Sequence, residues 1–102
     1  MMISLERKFD IELESKSQQA IKECRYVPSY FMQMMNEIGG VETAKRLIET
    51  GRQTGNPSEG FIKLYLMGRQ DLTMEDSVCK DEFQPLFTKD EIEYCKRLLG
   101  KK

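Results

Sequence analysis

Histidine is absent from this chain of 102 residues, and with it goes the commonest general base and metal ligand in proteins. Ser-His and Cys-His nucleophilic chemistry and His-ligated metals are therefore excluded. Cysteine is scarce: Cys24, Cys79 and Cys95 are an odd number at wide spacings with no C-x-x-C pair. Neither a disulfide framework nor a zinc site is indicated, and reduced, partly buried thiols are expected. No stretch approaches the roughly 18 to 20 consecutive apolar residues of a membrane span. The segment Met1 to Arg7 lacks the apolar core of a signal peptide, so a cytoplasmic protein is expected. Strand-like alternation, low-complexity tracts and repeats of fixed period are also missing. Neither sign of charge dominates, with 16 basic against 17 acidic residues and a net charge of −1, which removes the simplest electrostatic argument for nucleic acid. No Ser, Thr, Tyr or Lys stands in a nucleophile elbow, a P-loop or a paired-carboxylate arrangement, so no enzyme, catalytic residue, metal or cofactor is expected.

Helical periodicity is what remains. Leu5, Phe9, Leu13, Ala20, Ile21 and Cys24 recur at spacings of three, four and seven, one apolar stripe along a long first helix. The turn from Glu14 to Gln19 is wholly polar and interrupts that stripe, so residues 1–25 are expected to form an arm that pairs with a second copy through Leu5, Phe9 and Leu13. Pro28 predicts a bend and a new helix start. Tyr30, Phe31, Met34, Met35 and Ile38 then share a face until Gly39 and Gly40 stop it. Val41, Ala44, Leu47 and Ile48 mark a third helix ending at Gly51, before a loop from Gly51 to Pro57. Ser58 caps a fourth helix holding Phe61, Leu64, Tyr65 and Met67 and ended by Gly68, and Thr73 opens a short fifth. Thr88-Lys89-Asp90-Glu91 reads as a capping box with Phe87 and Ile92 as its staple, and Ile92, Cys95, Leu98 and Leu99 face inward. The fold class is all-α: a compact bundle of five to six short helices behind a longer N-terminal helix, with residues 26–100 as the helical module.

Three surface features are candidates for function. Lys45, Arg46, Arg52, Lys63 and Arg69 face only Glu49 and Glu59 over their span, a local charge of +3. Asp71, Glu75, Asp76, Asp81 and Glu82 head a span from 71 to 93 with a charge of −6. That span lacks the D-x-D-x-D-G spacing of a calcium loop, and several of its acids fall in first helical turns, where they offset the helix dipole. A positive patch beside a negative one favours a charged protein partner over a bare duplex, whose binding gains from many phosphate contacts. Met34 and Met35, with Met32, Met67 and Met74, supply either core filling or an adaptable groove.

Two resemblances follow from these residues. Ile38 to Ile48 resembles the helix-hairpin-helix motif of DNA-binding proteins: Gly40, Thr43, Ala44, Leu47 and Ile48 match, while Ile38 and Gly39 occupy the positions of its first glycine and central apolar residue. Such a hairpin aims backbone N–H groups at phosphate, which implies sequence-nonspecific nucleic-acid binding through Gly39, Gly40, Lys45, Arg46, Arg52, Lys63 and Arg69 as the alternative function. The stretches Tyr26 to Phe31, Gly39 to Leu47, Ser58 to Phe61, Gly68 to Thr73 and Leu86 to Glu91 resemble a family of short bacterial and phage-associated proteins of unassigned function. This resemblance implies a self-contained helical module acting in defence or counter-defence. The leading expectation is a non-enzymatic protein-interaction module, self-associating and acting as inhibitor or accessory of a nuclease or other nucleic-acid enzyme. No membrane contact is expected.

Overall fold

A computed structural model describes residues 3–101. Among them the chain forms α1 (Leu5–Cys24), α2 (Ser29–Ile38), α3 (Gly40–Thr54), α4 (Glu59–Leu66), α5 (Met74–Val78) and α6 (Lys89–Leu98), with 3-10 turns at Gln70–Leu72 and Gln84–Leu86. Three quarters of the described residues are helical and none of them is in a strand. No helix among them is long and apolar enough to cross a membrane.

Local chemistry places nearly every helix end. The side chains of Ser4, Ser58, Thr73 and Thr88 each accept a hydrogen bond from the backbone N–H three residues on, relieving one of the unpaired donors at a helix start. Thr88 and Glu91 complete the reciprocal capping box. At the other end of α1, Arg25 takes the left-handed conformation (φ 53°), so that its own N–H and that of Tyr26 return to the Ala20 carbonyl. Gly39 (φ 82°, ψ 167°) lets α3 begin one residue after α2 stops, a backbone conformation that side chains exclude.

α1 packs on α3 and α5, α3 packs on α2 and α6, and α5 packs on α6. The radius of gyration, 12.7 Å, matches the value of about 13 Å for one domain of this size. Phe9, Leu13, Ala44, Ile48, Met74, Val78, Phe83, Phe87, Tyr94 and Cys95 form the main core, and Ala20, Leu64 and Leu72 form a smaller one with Cys24 and Tyr26 beside it. Phe9 is wholly buried and meets Phe83 and Phe87 edge-to-face, each with ring centroids 5.2 Å apart.

This arrangement corrects the expectation of an N-terminal arm. Phe9 and Leu13 lie inside the chain's own core and Leu5 packs against it, so they are not available as a seam between copies. Nor does the stripe break at the polar turn. Lys16 and Ser17 occupy inward positions and are buried; Ser17 Oγ donates back to the Leu13 carbonyl at 2.9 Å, and Lys16 Nζ donates to the Thr73 carbonyl at 3.0 Å and to Asp76 at 3.1 Å. The buried stripe therefore continues through a satisfied cation.

Gly51 is a second correction. α3 passes through it and ends at Gly55, in the left-handed conformation. Gly51 is a contact residue: a Cβ there collides with the hydroxyl end of Tyr94 on α6. Gly51→Ala is expected to lower stability by about 1–3 kcal/mol through overpacking, although alanine has the better helix propensity. Tyr94→Phe in the same chain should recover part of the loss, as measured by urea unfolding of the single and double variants.

Candidate functional site

The basic residues do not converge on an open phosphate site. Lys45 Nζ binds Glu91 at 2.8 Å and lies 5.3 Å from the Phe87 ring centroid. Arg46 pairs with Glu42, Arg52 with Glu49, and Arg69 with both Glu23 and Asp71. Lys63 is exposed on α4. The glycine hairpin is occupied by the protein itself: the Gly40 N–H donates to Asp10 Oδ1 at 2.7 Å, and Gly40 is buried against Phe9, Asp10 and Leu13. A carboxylate of α1 thus sits where the helix-hairpin-helix reading places a phosphate, and Gly39 serves as the turn.

The acidic residues diverge in the same way. Asp71 turns to Arg69, whose two hydrogen bonds hold its carboxyl below the usual carboxylate range. Asp76 pairs with Lys16 and Lys101. Asp81 and Glu82 remain exposed. Glu75, expected on the surface, is 3% exposed, and its Oε2 accepts from Ser58 Oγ at 3.2 Å. Burial pushes its pKa up to about 7 against the opposing effects of its own backbone N–H, Ser58 and Lys16, because a low-dielectric surrounding disfavours the carboxylate. Among the described residues no ion pair reaches it.

Lys16, Asp76, Glu12, Ser77 and Lys80 form the network that ties α1 to α5. Lys80 Nζ lies 2.6 Å and Lys16 Nζ 3.9 Å from Glu12 Oε2, which also accepts from Ser77 Oγ at 2.9 Å. Burial raises the Glu12 carboxyl, but hydrogen bonds from Lys80 and Ser77 and the charges of both lysines outweigh it and hold the group low. Burial also lowers the Lys16 ammonium against the pull of Asp76 and Glu12. All three cysteines are free thiols; burial pushes those of Cys79 and Cys95 upward, away from the reactive thiolate.

Two features have no counterpart in the sequence reading. The first is a pocket of about 310 Å³ between α1, α2, α4 and the segment 72–75. Tyr26, Phe31, Phe61, Leu64 and Leu72 supply apolar lining, and Lys16, Ser58, Glu59 and Glu75 are among its polar members. One signal does lie in the sequence: Phe9, Leu13, Lys16 and Ala20 follow helical spacing, which puts a lysine in a core register.

The second feature is the outer face of α4. Phe61 and Leu64 turn inward, while Ile62, Tyr65 and Leu66 occupy the opposite side and are exposed, Leu66 by 79%. Met67 follows them, also exposed, and Tyr30 and Val27 are exposed as well. Of the other methionines, Met74 is in the core and Met35 packs against it, so these two share no surface groove with Met67. Compared with known proteins, the chain matches no family model, no curated protein and no solved structure.

Proposed function

We propose that this chain is a non-enzymatic protein-binding module whose contact surface is the outer face of α4. The observation that carries this reading is the exposure of Ile62, Tyr65 and Leu66 at spacings of three and four on a helix whose inner face is already buried. Residues so spaced form one contiguous stripe. A helix apolar on both sides is normally covered on both, and covering one large apolar side chain stabilises by about 1.5–3 kcal/mol. Lys63 and Glu59, both exposed on the same helix, supply the polar rim that protein interfaces carry.

The proposed partner is a nuclease or another nucleic-acid enzyme, because exposed carboxylates can occupy a groove built for phosphates. Of the five acids heading the 71–93 span, Asp81 and Glu82 are exposed and in no ion pair among the described residues, free to address its basic surface. Direct nucleic-acid binding has less support, because Asp10 takes the Gly40 amide and carboxylates take Lys45, Arg46, Arg52 and Arg69.

A photo-crosslinking residue at position 66 tests the reading, with position 81 as control. A single protein adduct from cells, formed at 66 and not at 81, is the expected result. Leu66→Asp and Ile62→Asp should then weaken binding of that purified protein at least tenfold while leaving the fold intact, since both side chains already face solvent. An adduct with a second copy of this chain makes the surface a homodimer interface. Absence of any adduct at 66, or equal labelling from both positions, overturns the proposal.

A further inference from the structure

We propose that the pocket between α1, α2 and α4 is a binding site for a small organic cation, an aliphatic or arylalkyl ammonium. Its body would fill the apolar lining and its charged head would pair with Glu75. This site is separate from the outer face of α4, and neither depends on the other.

Size comes first. A volume of about 310 Å³ is at the lower end of the range of about 300–1,000 Å³ for pockets that take small molecules, and is far larger than the space of one water, roughly 30 Å³. The lining is mostly apolar and aromatic: Tyr26 and Phe31 on the α1–α2 side, Phe61 and Leu64 on α4, and Leu72 below. Aromatic rings receive apolar bodies and also attract ammonium groups through their quadrupoles.

Charge decides the sign of the ligand. Three residues of the lining have acidic or basic side chains charged near neutral pH in water, Lys16, Glu59 and Glu75. The lysine is already committed, because its ammonium donates to the Thr73 carbonyl and to Asp76 and lies within ion-pair distance of Glu12. Glu59 is exposed at the rim. Glu75 is buried, has one side-chain donor, Ser58, and has no ion-pair partner among the described residues. A buried carboxyl served only by Ser58 and its own backbone N–H is left short of hydrogen bonds, since each ionised carboxylate oxygen accepts more than one. Burying its charge away from water without an ion pair is unfavourable. An ammonium in the pocket supplies both the missing donors and the missing charge. An anionic ligand meets two carboxylates that no ion pair among the described residues neutralises, and a neutral one leaves the deficit in place.

The test uses the full chain at about pH 8 and three probes of one shape: 2-phenylethylammonium, 2-phenylethanol and 3-phenylpropanoate. Amide chemical shifts give each Kd and show where the probe sits. The cation should bind at least tenfold more tightly than the other two, with shifts confined to residues 26–31, 58–64 and 72–75. Glu75→Gln keeps an acceptor for Ser58 and the shape of the side chain. It should weaken the cation at least tenfold and leave the alcohol unchanged. Equal affinities for all three probes, no saturable shift from the cation at millimolar concentration, or a Glu75→Gln protein that keeps the preference each overturn the proposal.

Discussion

Glu75→Gln is expected to raise the thermal midpoint at pH 8 and to remove most of the pH dependence of stability between pH 5 and 8. The reason is that Glu75 binds its proton more tightly in the folded chain, with a pKa of about 7 against an ordinary value of 4.5. Below pH 4.5 the group is protonated in both states and its burial is least costly. As the pH climbs toward 7 the unfolded chain ionises first, and stability falls by about 1.4 kcal/mol per pH unit. The loss levels off above pH 7, at about 3 kcal/mol in all. In a domain of this size that corresponds to a midpoint lower by more than about 10 °C. Glutamine carries no proton equilibrium and still accepts from Ser58 Oγ, so the variant should follow a nearly flat line over the same range.

Other carboxyls set the acid limb. Asp71 is held low by Arg69. Glu12 and Glu91 are raised by burial, but Lys80 and Ser77 on one, and Lys45 and Thr88 on the other, more than reverse this. Their contribution is present above the ordinary carboxylate range and is lost as the pH falls through their folded values. The wild type is therefore expected to be most stable near pH 5. Thermal unfolding of both proteins at half-unit steps checks this, and a wild type whose midpoint is flat from pH 5 to 8 contradicts the burial of Glu75.

Phe9→Ala is expected to produce the largest loss of stability of any single truncation considered, about 3–5 kcal/mol. That is a large share of the roughly 5–15 kcal/mol that separates folded from unfolded domains. Phe9 is wholly buried and sits edge-on to two further rings, so its removal forfeits the transfer term, leaves a cavity, and ends both aromatic contacts. The measurement is denaturant unfolding at two protein concentrations a hundredfold apart. Residues in the core of one chain give a difference between wild type and variant that is independent of concentration. A seam between two copies gives a difference that shrinks as dilution dissociates the wild type. The first outcome is expected for Phe9→Ala, and also for Leu13→Ala at about 2–5 kcal/mol.

The ends of the helices were legible because they depend on residues within four positions of one another. Ser58, Thr73 and Thr88 cap where a short hydroxyl precedes a helical run, and Gly39, Gly68 and Gly100 take positive φ where the run stops. Phe83 was not legible, because it lies in the irregular stretch between α5 and α6, where no period marks a side chain as inward. The glycine hairpin was legible as a turn, but its amide could be assigned to a ligand only while Asp10, thirty positions earlier, was left out of account.

By itself the sequence determined that this protein is helical, where most of its helices begin and end, and that no histidine chemistry is open to it, since all of these follow from composition and local bonding. Only the tertiary structure decided which faces meet. Gly51 became a contact for Tyr94 and not a helix stop, and Lys16 became a buried link between α1 and α5 and not a gap in a stripe. Glu75 left the acidic surface for the edge of a pocket, and α4 kept an apolar face in water. Each of these depends on residues far apart in the chain. Burial and charge compensation belong to the space between elements, which periodicity along one element does not describe.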